Sequence, residues 1–257
     1  MPPTARDLLA GLQETLKTQG VDYDRIVEGF GQVRASEERA AGRVFGLGDH
    51  LRGLILAQLS NQRPWKPIAD NMAALDELFL GYDPDRLRTV DPATLVAGLH
   101  RLRCGNRADA KQMGALAENI ATLERIEARQ GGLDGFVSSD SPDRVAQMLA
   151  KRGPHKLRHV GLALAFEYLK NVGVRASKPD MHVRRVIGGE RLGYAAGYPS
   201  EQEAYAIIDE LAAGAGCSPT YLDNLLWMFC AKGYGEVCRA EPRCGVCSFA
   251  PECAFPR

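Results

Sequence analysis

Hydrophobic positions recur at helical spacing along nearly the whole chain. Leu51, Leu54, Ile55 and Leu59 fall at i, i+3, i+4 and i+8, which predicts a strong amphipathic helix. It ends in Ser60-Asn61-Gln62-Arg63-Pro64-Trp65, where proline breaks the hydrogen-bond ladder. Ile68, Met72, Leu75 and Phe79 predict a further helix, and Asp91-Pro92 opens another that carries Leu95, Val96 and Leu99. From Arg107 to Leu123 the stripe Met113, Leu116, Ile120, Leu123 reads as one helix, and residues 130–140 read as a loop. Ser141-Pro142 starts a capped helix through Val145, Met148 and Leu149. A basic connection over 151–161 leads from it into an apolar helix from Leu162 to Leu169. A loop over 171–179 delivers Asp180. Ser200 and Glu203 form a capping box, and Ser218-Pro219 opens a last long helix with Leu222, Leu225, Leu226 and Phe229. Residues 5–40 carry sparse apolar positions and predict one or two surface helices around a turn at Gly20. No segment reads as a strand and none repeats, so the expected fold class is all-α.

Composition changes this picture little. The chain has 257 residues, 45% hydrophobic and 25% charged, as expected of one or two globular domains. No run approaches the roughly 18 apolar residues of a membrane span, and the first residues, Met-Pro-Pro-Thr-Ala-Arg-Asp, lack the apolar core of a signal peptide. The formal net charge is zero and gives no global argument for nucleic acid. Its distribution is uneven: Arg101, Arg103, Arg107 and Lys111 gather in one stretch, and Lys151, Arg152, Lys156 and Arg158 in another.

The cysteines carry the sharpest local signal. Cys238, Cys244, Cys247 and Cys253 are spaced C-x5-C-x2-C-x5-C. Four soft thiolate ligands that close together suit zinc or an iron–sulfur cluster, and the spacing alone leaves both open. The other three, Cys104, Cys217 and Cys230, are scattered. That is not a disulfide framework, and it points to a reducing, cytoplasmic setting.

Two further stretches suggest chemistry. A helix, a short basic hairpin ending in glycine and a second helix can expose backbone N–H groups at a helix N-terminus, where a phosphate binds without sequence readout. Lys156 and Arg158 beside Val160 and Gly161 would add the electrostatic contribution. A solvated interhelical turn is the plainer alternative. Asp180 stands nineteen positions after Gly161; taken alone, it reads more readily as a helix N-cap than as a catalyst.

Together these pieces resemble the endonuclease III-like DNA glycosylases of the helix-hairpin-helix superfamily, over about Leu51 to Cys253. Leu-Ile-Leu-Ala-Gln-Leu-Ser-Asn-Gln62 resembles the family's helix end, and Val160-Gly161 the end of its hairpin. Lys178-Pro-Asp180-Met-His182-Val-Arg184 is similar to its aspartate segment, and Pro242-Arg-Cys244-Gly-Val-Cys247 to part of its cluster loop. The resemblance implies a two-lobed all-α fold: a helical barrel lobe over 46–170 containing the hairpin 151–161, and a lobe from 1–45 and 171–257 holding a [4Fe–4S] cluster in the loop 238–253. It implies an enzyme of base-excision repair, hydrolysing the N-glycosidic bond of a damaged or mispaired base. The expected partner is double-stranded DNA, bound by a monomer at the nucleoid and not by a membrane protein.

The resemblance also implies roles. Asp180 would be the catalytic carboxylate, stabilising an oxocarbenium-like sugar or activating water. Gln62 would fill the stack when the damaged nucleotide is flipped out, facing Asp180 across a DNA cleft. Lys156, Arg158, Val160, Gly161 and Arg184 would contact DNA, Arg239 and Arg243 are plausible phosphate contacts, and His182 would orient or pack. Cys238, Cys244, Cys247 and Cys253 would hold the cluster. Trp65, Phe166, Tyr168 and His159 are candidates to stack on the flipped base.

Three departures qualify this. Bifunctional members of the family carry a Schiff-base lysine two positions after the hairpin glycine. Here Ala163 stands there, or Leu162 if the count runs back from Asp180. This implies a monofunctional enzyme with weak or absent lyase activity. The hairpin Leu157-Arg158-His159-Val160-Gly161 lacks the usual proline and first glycine, and the first cysteine gap is one residue short. The alternatives are a glycosylase/lyase using another amine, a lesion- or structure-binding protein without turnover, and a zinc module on an unrelated helical protein.

Overall fold

The computed structural model describes residues 1–255. All secondary structure among them is helical. The first helices are α1 (Ala5–Thr18), α2 (Tyr23–Phe30), α3 (Gln32–Ala40) and α4 (Leu47–Leu59). Short helices follow: α5 (Lys66–Asp70), α6 (Met72–Leu78), α7 (Pro84–Thr89), α8 (Pro92–Arg101) and α9 (Asp109–Gly114). Then come α10 (Leu116–Gln130), α11 (Leu133–Val137), α12 (Pro142–Ala150) and α13 (Leu162–Asn171). The chain ends with α14 (Met181–Ile187), α15 (Glu201–Ala215), α16 (Pro219–Cys230) and a 3₁₀ turn at Cys244–Val246. None of these helices is long and apolar enough to cross a membrane.

The chain divides into two compact units, residues 1–33 with 175–257, and residues 34–174. Residues 34–45 therefore belong with the second unit. In the first unit α1 is central. Leu8, Leu12 and Leu16 are fully buried and pack with Val183, Ile208, Leu225, Leu226 and Phe229. Fully burying each such leucine contributes about 1.5–3 kcal/mol. The expectation of surface helices over 5–40 is thus corrected: there are three, and a narrow apolar stripe on a polar helix makes α1 a core element. Gly11 is required there, because a Cβ would lie 2.5 Å from the Phe249 ring.

In the second unit α4 packs along α13. Gly53 permits the approach, since a Cβ there would meet Val172 Cγ1 at 2.9 Å, and Asn171 Nδ2 donates to the Gly53 carbonyl at 2.9 Å. Three helix boundaries differ from the sequence pattern. The stripe Ile68–Phe79 is broken between α5 and α6, and Arg107–Leu123 is broken at Ala115 between α9 and α10. Residues 133–137 form α11 inside the expected loop, with Leu133, Phe136 and Val137 buried.

A polar network joins α3, α4, α11 and α13. Asp134 accepts from Arg39 Nη2 at 2.6 Å and from the Phe45 amide at 2.7 Å. His50 is fully buried, with Nε2 at 3.3 Å from Asp134 and Nδ1 at 2.5 Å from the Tyr168 hydroxyl. The tautomer that serves both partners donates from Nε2 to Asp134 and accepts at Nδ1 from Tyr168. Burial pushes the His50 pKa from 6.5 down to about 4, with Asp134 opposing only in part. The folded protein therefore keeps His50 neutral while the unfolded chain protonates near 6.5. Stability is fully present above that value and is lost as pH falls from about 6.5 towards 4. At 1.36 kcal/mol per unit, the loss approaches roughly 3 kcal/mol. Urea unfolding of wild type and His50→Gln between pH 7.5 and 4.5 checks this: the difference between them should shrink by that amount, and parallel profiles would refute it.

Candidate DNA-binding and catalytic site

The hairpin follows α12 and is closed by backbone bonds, Leu157 N to Leu149 O at 3.0 Å and Val160 N to Leu157 O at 3.4 Å. Leu157 and Val160 point into the core. His159 takes a left-handed conformation at φ 55°, which turns the chain without the glycine expected at such a position. Gly161 is the N-cap of α13 and has no side-chain cap. Among the described residues, nothing beyond its own chain neighbours lies within 4 Å of where its Cβ would be. The first-turn amides of a ten-residue helix are thus open to an anion.

The basic residues of the hairpin are partly engaged. Lys156 Nζ donates to the Val160 carbonyl, and burial, helped by Arg158, lowers its pKa. Arg158 is exposed, pairs with Glu118 at 3.1 Å, and is fixed through its amide to Asn119 Oδ1 at 2.6 Å. At the two positions where the resemblance would place a Schiff-base lysine, Leu162 and Ala163 occupy the first turn of α13. Lys170 lies two turns further on, buried beside Glu167 at 3.7 Å.

Gln62 follows α4 with an exposed side chain and φ 51°, sparsely populated backbone for a non-glycine residue. The adjacent Arg63 donates to the carbonyls of Gly105 and Arg103. It ties the Gln62 loop to the segment that follows α8, where Arg103 and Arg107 are exposed, as is Arg101 at the helix end. Sequence reasoning missed Arg63, although it sits between Gln62 and Pro64. Two of the stacking candidates are corrected: Phe166 and Tyr168 are fully buried on α13, Tyr168 beside Gly53 and His50 of α4, and neither can reach a base. Trp65 is half-buried and His159 exposed.

In the first unit Asp180 is the N-cap of α14. Its Oδ1 accepts the amides of His182 at 2.8 Å and Val183 at 3.2 Å, and among the described residues Oδ2 has no partner. The carboxylate is half-buried, oriented by backbone alone, with one oxygen available. Burial lowers the His182 pKa, and its Nδ1 is buried without a hydrogen bond. Arg184 donates to the Pro199 carbonyl at 2.7 Å and lies 4.4 Å over the exposed Tyr198 ring. Arg239 pairs with Glu236 at 2.8 Å, and Arg243 Nη2 donates to Gln19 at 2.6 Å.

The four cysteines are brought together. Cys238, Cys244, Cys247 and Cys253 line one pocket with Arg191, Val237, Pro242, Ala250 and Phe255, enclosing about 310 Å³ of empty space, its open mouth included. The loop is anchored by Val237 N to Phe229 O at 2.8 Å, by Thr15 and Ser248 hydroxyls at 2.8 Å, and by Phe249 edge-on to Phe229. The donor set fits a thiolate-bound group. Cys238 has its pKa lowered to about 7, chiefly by a hydrogen bond from Cys230 and then by Arg191 and Arg185. Burial pushes Cys247 up to about 11, so a cation would have to offset its ionisation. Among the described residues no three His, Cys, Asp or Glu side chains are grouped to hold a single metal ion. Arg191, which no motif marks, shares the cysteine pocket.

No family model matches the chain, and no curated protein matches it. Solved structures do. The 8-oxoguanine DNA glycosylase of Thermotoga maritima is 20% identical, with 88% of this chain and 98% of that one covered at a TM-score of 0.58. That of Methanocaldococcus jannaschii is 16% identical, with 85% and 92% covered at 0.57. The M. jannaschii 8-oxoguanine glycosylase/lyase in complex with a 15mer DNA containing 8-oxoguanine is 16% identical, with 84% and 95% covered at 0.56. At these identities the likeness establishes the fold: this chain has the all-α architecture of the 8-oxoguanine DNA glycosylases.

Proposed function

We propose that the chain is a monofunctional DNA glycosylase that removes a damaged or mispaired base from duplex DNA. The observation that carries the reading is Asp180, in a fold shared with DNA glycosylases. Two backbone amides hold one carboxylate oxygen and the other is left unpartnered. That oxygen can stabilise positive charge on the sugar as the C1′–N bond breaks, and take the proton of the attacking water as the C1′–O bond forms. The open amides at Gly161 would grip a backbone phosphate. Gln62 would enter the vacated stack, supported by Arg63, with Arg158 and Arg184 as further DNA contacts. With Leu162 and Ala163 at the lysine positions, Lys156 turned onto Val160 and Lys170 buried, water is the nucleophile.

The four cysteines would hold a [4Fe–4S] cluster, which cross-links the C-terminal loop through its thiolates. The support is the shared pocket, where a cubane takes one thiolate per iron around its outside. A single zinc would need all four sulfurs about 2.3 Å from one point.

The test is base release from duplexes each carrying one lesion, led by 8-oxoguanine opposite cytosine because the similar structures are 8-oxoguanine glycosylases. Strand cleavage is read with and without alkali. Cleavage only after alkali is the expected result. Cleavage without alkali, with borohydride trapping lost in Lys156→Met, would move the reading to a lyase using that lowered-pKa amine. Tight duplex binding with no release from any lesion would favour a binding protein.

A further inference from the structure

We propose that Arg191 is the charged partner of the cluster, its buried guanidinium favouring the reduced state and so raising the reduction potential. The inference rests on the cluster reading above. Arg191 is 6% exposed and lines the pocket with the four cysteines. Its Nη1 donates to the Glu190 carbonyl at 3.1 Å and its Nη2 to the Ala240 carbonyl at a long 3.5 Å. Its Nε is buried with no hydrogen-bond partner among the described residues. The backbone is pinned, with Ala254 N donating to the Arg191 carbonyl at 2.8 Å, and the guanidinium lies 3.8 Å over the Phe255 ring.

A buried cation with an unsatisfied donor is costly unless an anion meets it. No carboxylate pairs with Arg191 among the described residues. Cluster-bound cysteine thiolates would be that anion, and all four cysteines line the same pocket as the guanidinium. A cluster held by four thiolates is itself anionic, and an added electron increases that charge. Net charge, hydrogen bonds to sulfur and solvent exposure set cluster potentials. Arg191 supplies the first two in a position that Phe255 partly covers.

The experiment uses the full chain purified without oxygen. Iron and acid-labile sulfide are measured first in the wild type, then the midpoint potential by spectroelectrochemical titration of wild type, Arg191→Met, Arg191→Lys and Lys232→Met. Arg191→Met should retain iron while its reduced-to-oxidised ratio at a fixed potential falls about tenfold, about 59 mV for one electron. Arg191→Lys, which keeps the charge but not the Nε donor, should shift the same way by a smaller factor. If Arg191→Met fails to fold, the lysine variant decides alone. Unchanged potentials in iron-loaded variants would overturn the role of Arg191 and leave the cluster standing. An equal shift in Lys232→Met, an exposed lysine outside the pocket, would overturn it as a generic charge effect. Wild-type protein carrying zinc, or no iron, would overturn the cluster reading itself and the inference with it.

Discussion

Asp180→Asn is expected to lower base release by about 10²–10⁴-fold while leaving the unfolding transition almost unchanged. The two effects separate because Asp180 combines two functions. As N-cap it accepts the His182 and Val183 amides, and asparagine caps a helix about as well as aspartate. As catalyst it must carry a negative charge beside a cationic sugar, which a neutral amide does not do. Asp180→Ala should lose both, with about 1 kcal/mol of stability added to the same kinetic loss. Single-turnover base release and thermal unfolding on the three proteins give the comparison. If Asp180→Asn releases base at the wild-type rate, the residue is a cap alone, and the lesion-binding reading becomes the better one.

How much of this was legible beforehand varies with the physical scale of each feature. Capped helices opened by Asp91-Pro92, Ser141-Pro142, Ser200 and Ser218 were readable because a cap is local: the side chain and the amides it serves lie within three residues. The cysteines were readable for the same reason, being close in sequence as well as in space. What depends on distant packing was not. A polar helix with Leu8, Leu12 and Leu16 looks like a surface element until α14, α15 and α16 close over it. The break at Ala115 keeps the helical register of Met113, Leu116 and Ile120 and so leaves the apolar pattern intact. Tyr168 and Phe166 offered aromatic faces in sequence, but both are fully buried, and for Tyr168 the covering residues, Gly53 and His50 of α4, lie more than a hundred positions earlier. Arg191 and Asp134 carry no motif, because their partners lie 47 to 62 and 84 to 95 residues away along the chain.

Asp134→Ala is expected to destabilise the protein by about 3–5 kcal/mol, because it leaves three donors of a largely buried network without their acceptor, at about 1–3 kcal/mol each. The loss does not come from one contact. Arg39 would keep only its bonds to the Val172 carbonyl, the Phe45 amide would lose its acceptor, and His50 would keep its Nε2–H buried with no partner. Asp134→Asn retains an acceptor but not the charge facing Arg39, and should cost less, about 1–3 kcal/mol. Urea unfolding at pH 7.5 measures both, and a loss below about 1 kcal/mol for alanine would show that water replaces the carboxylate. The consequence for function follows from the helices involved. His50 lies on α4, which ends at the Gln62 loop, and Tyr168 lies on α13, which begins at the Gly161 amides. Loosening their junction should weaken duplex binding while leaving Asp180 chemistry intact once DNA is bound. A duplex titration should therefore show Asp134→Asn with raised KM and near-normal kcat, the reverse of Asp180→Asn. If Asp134→Asn instead lost kcat at unchanged KM, the network would be serving the reaction step and not the placement of the two helices.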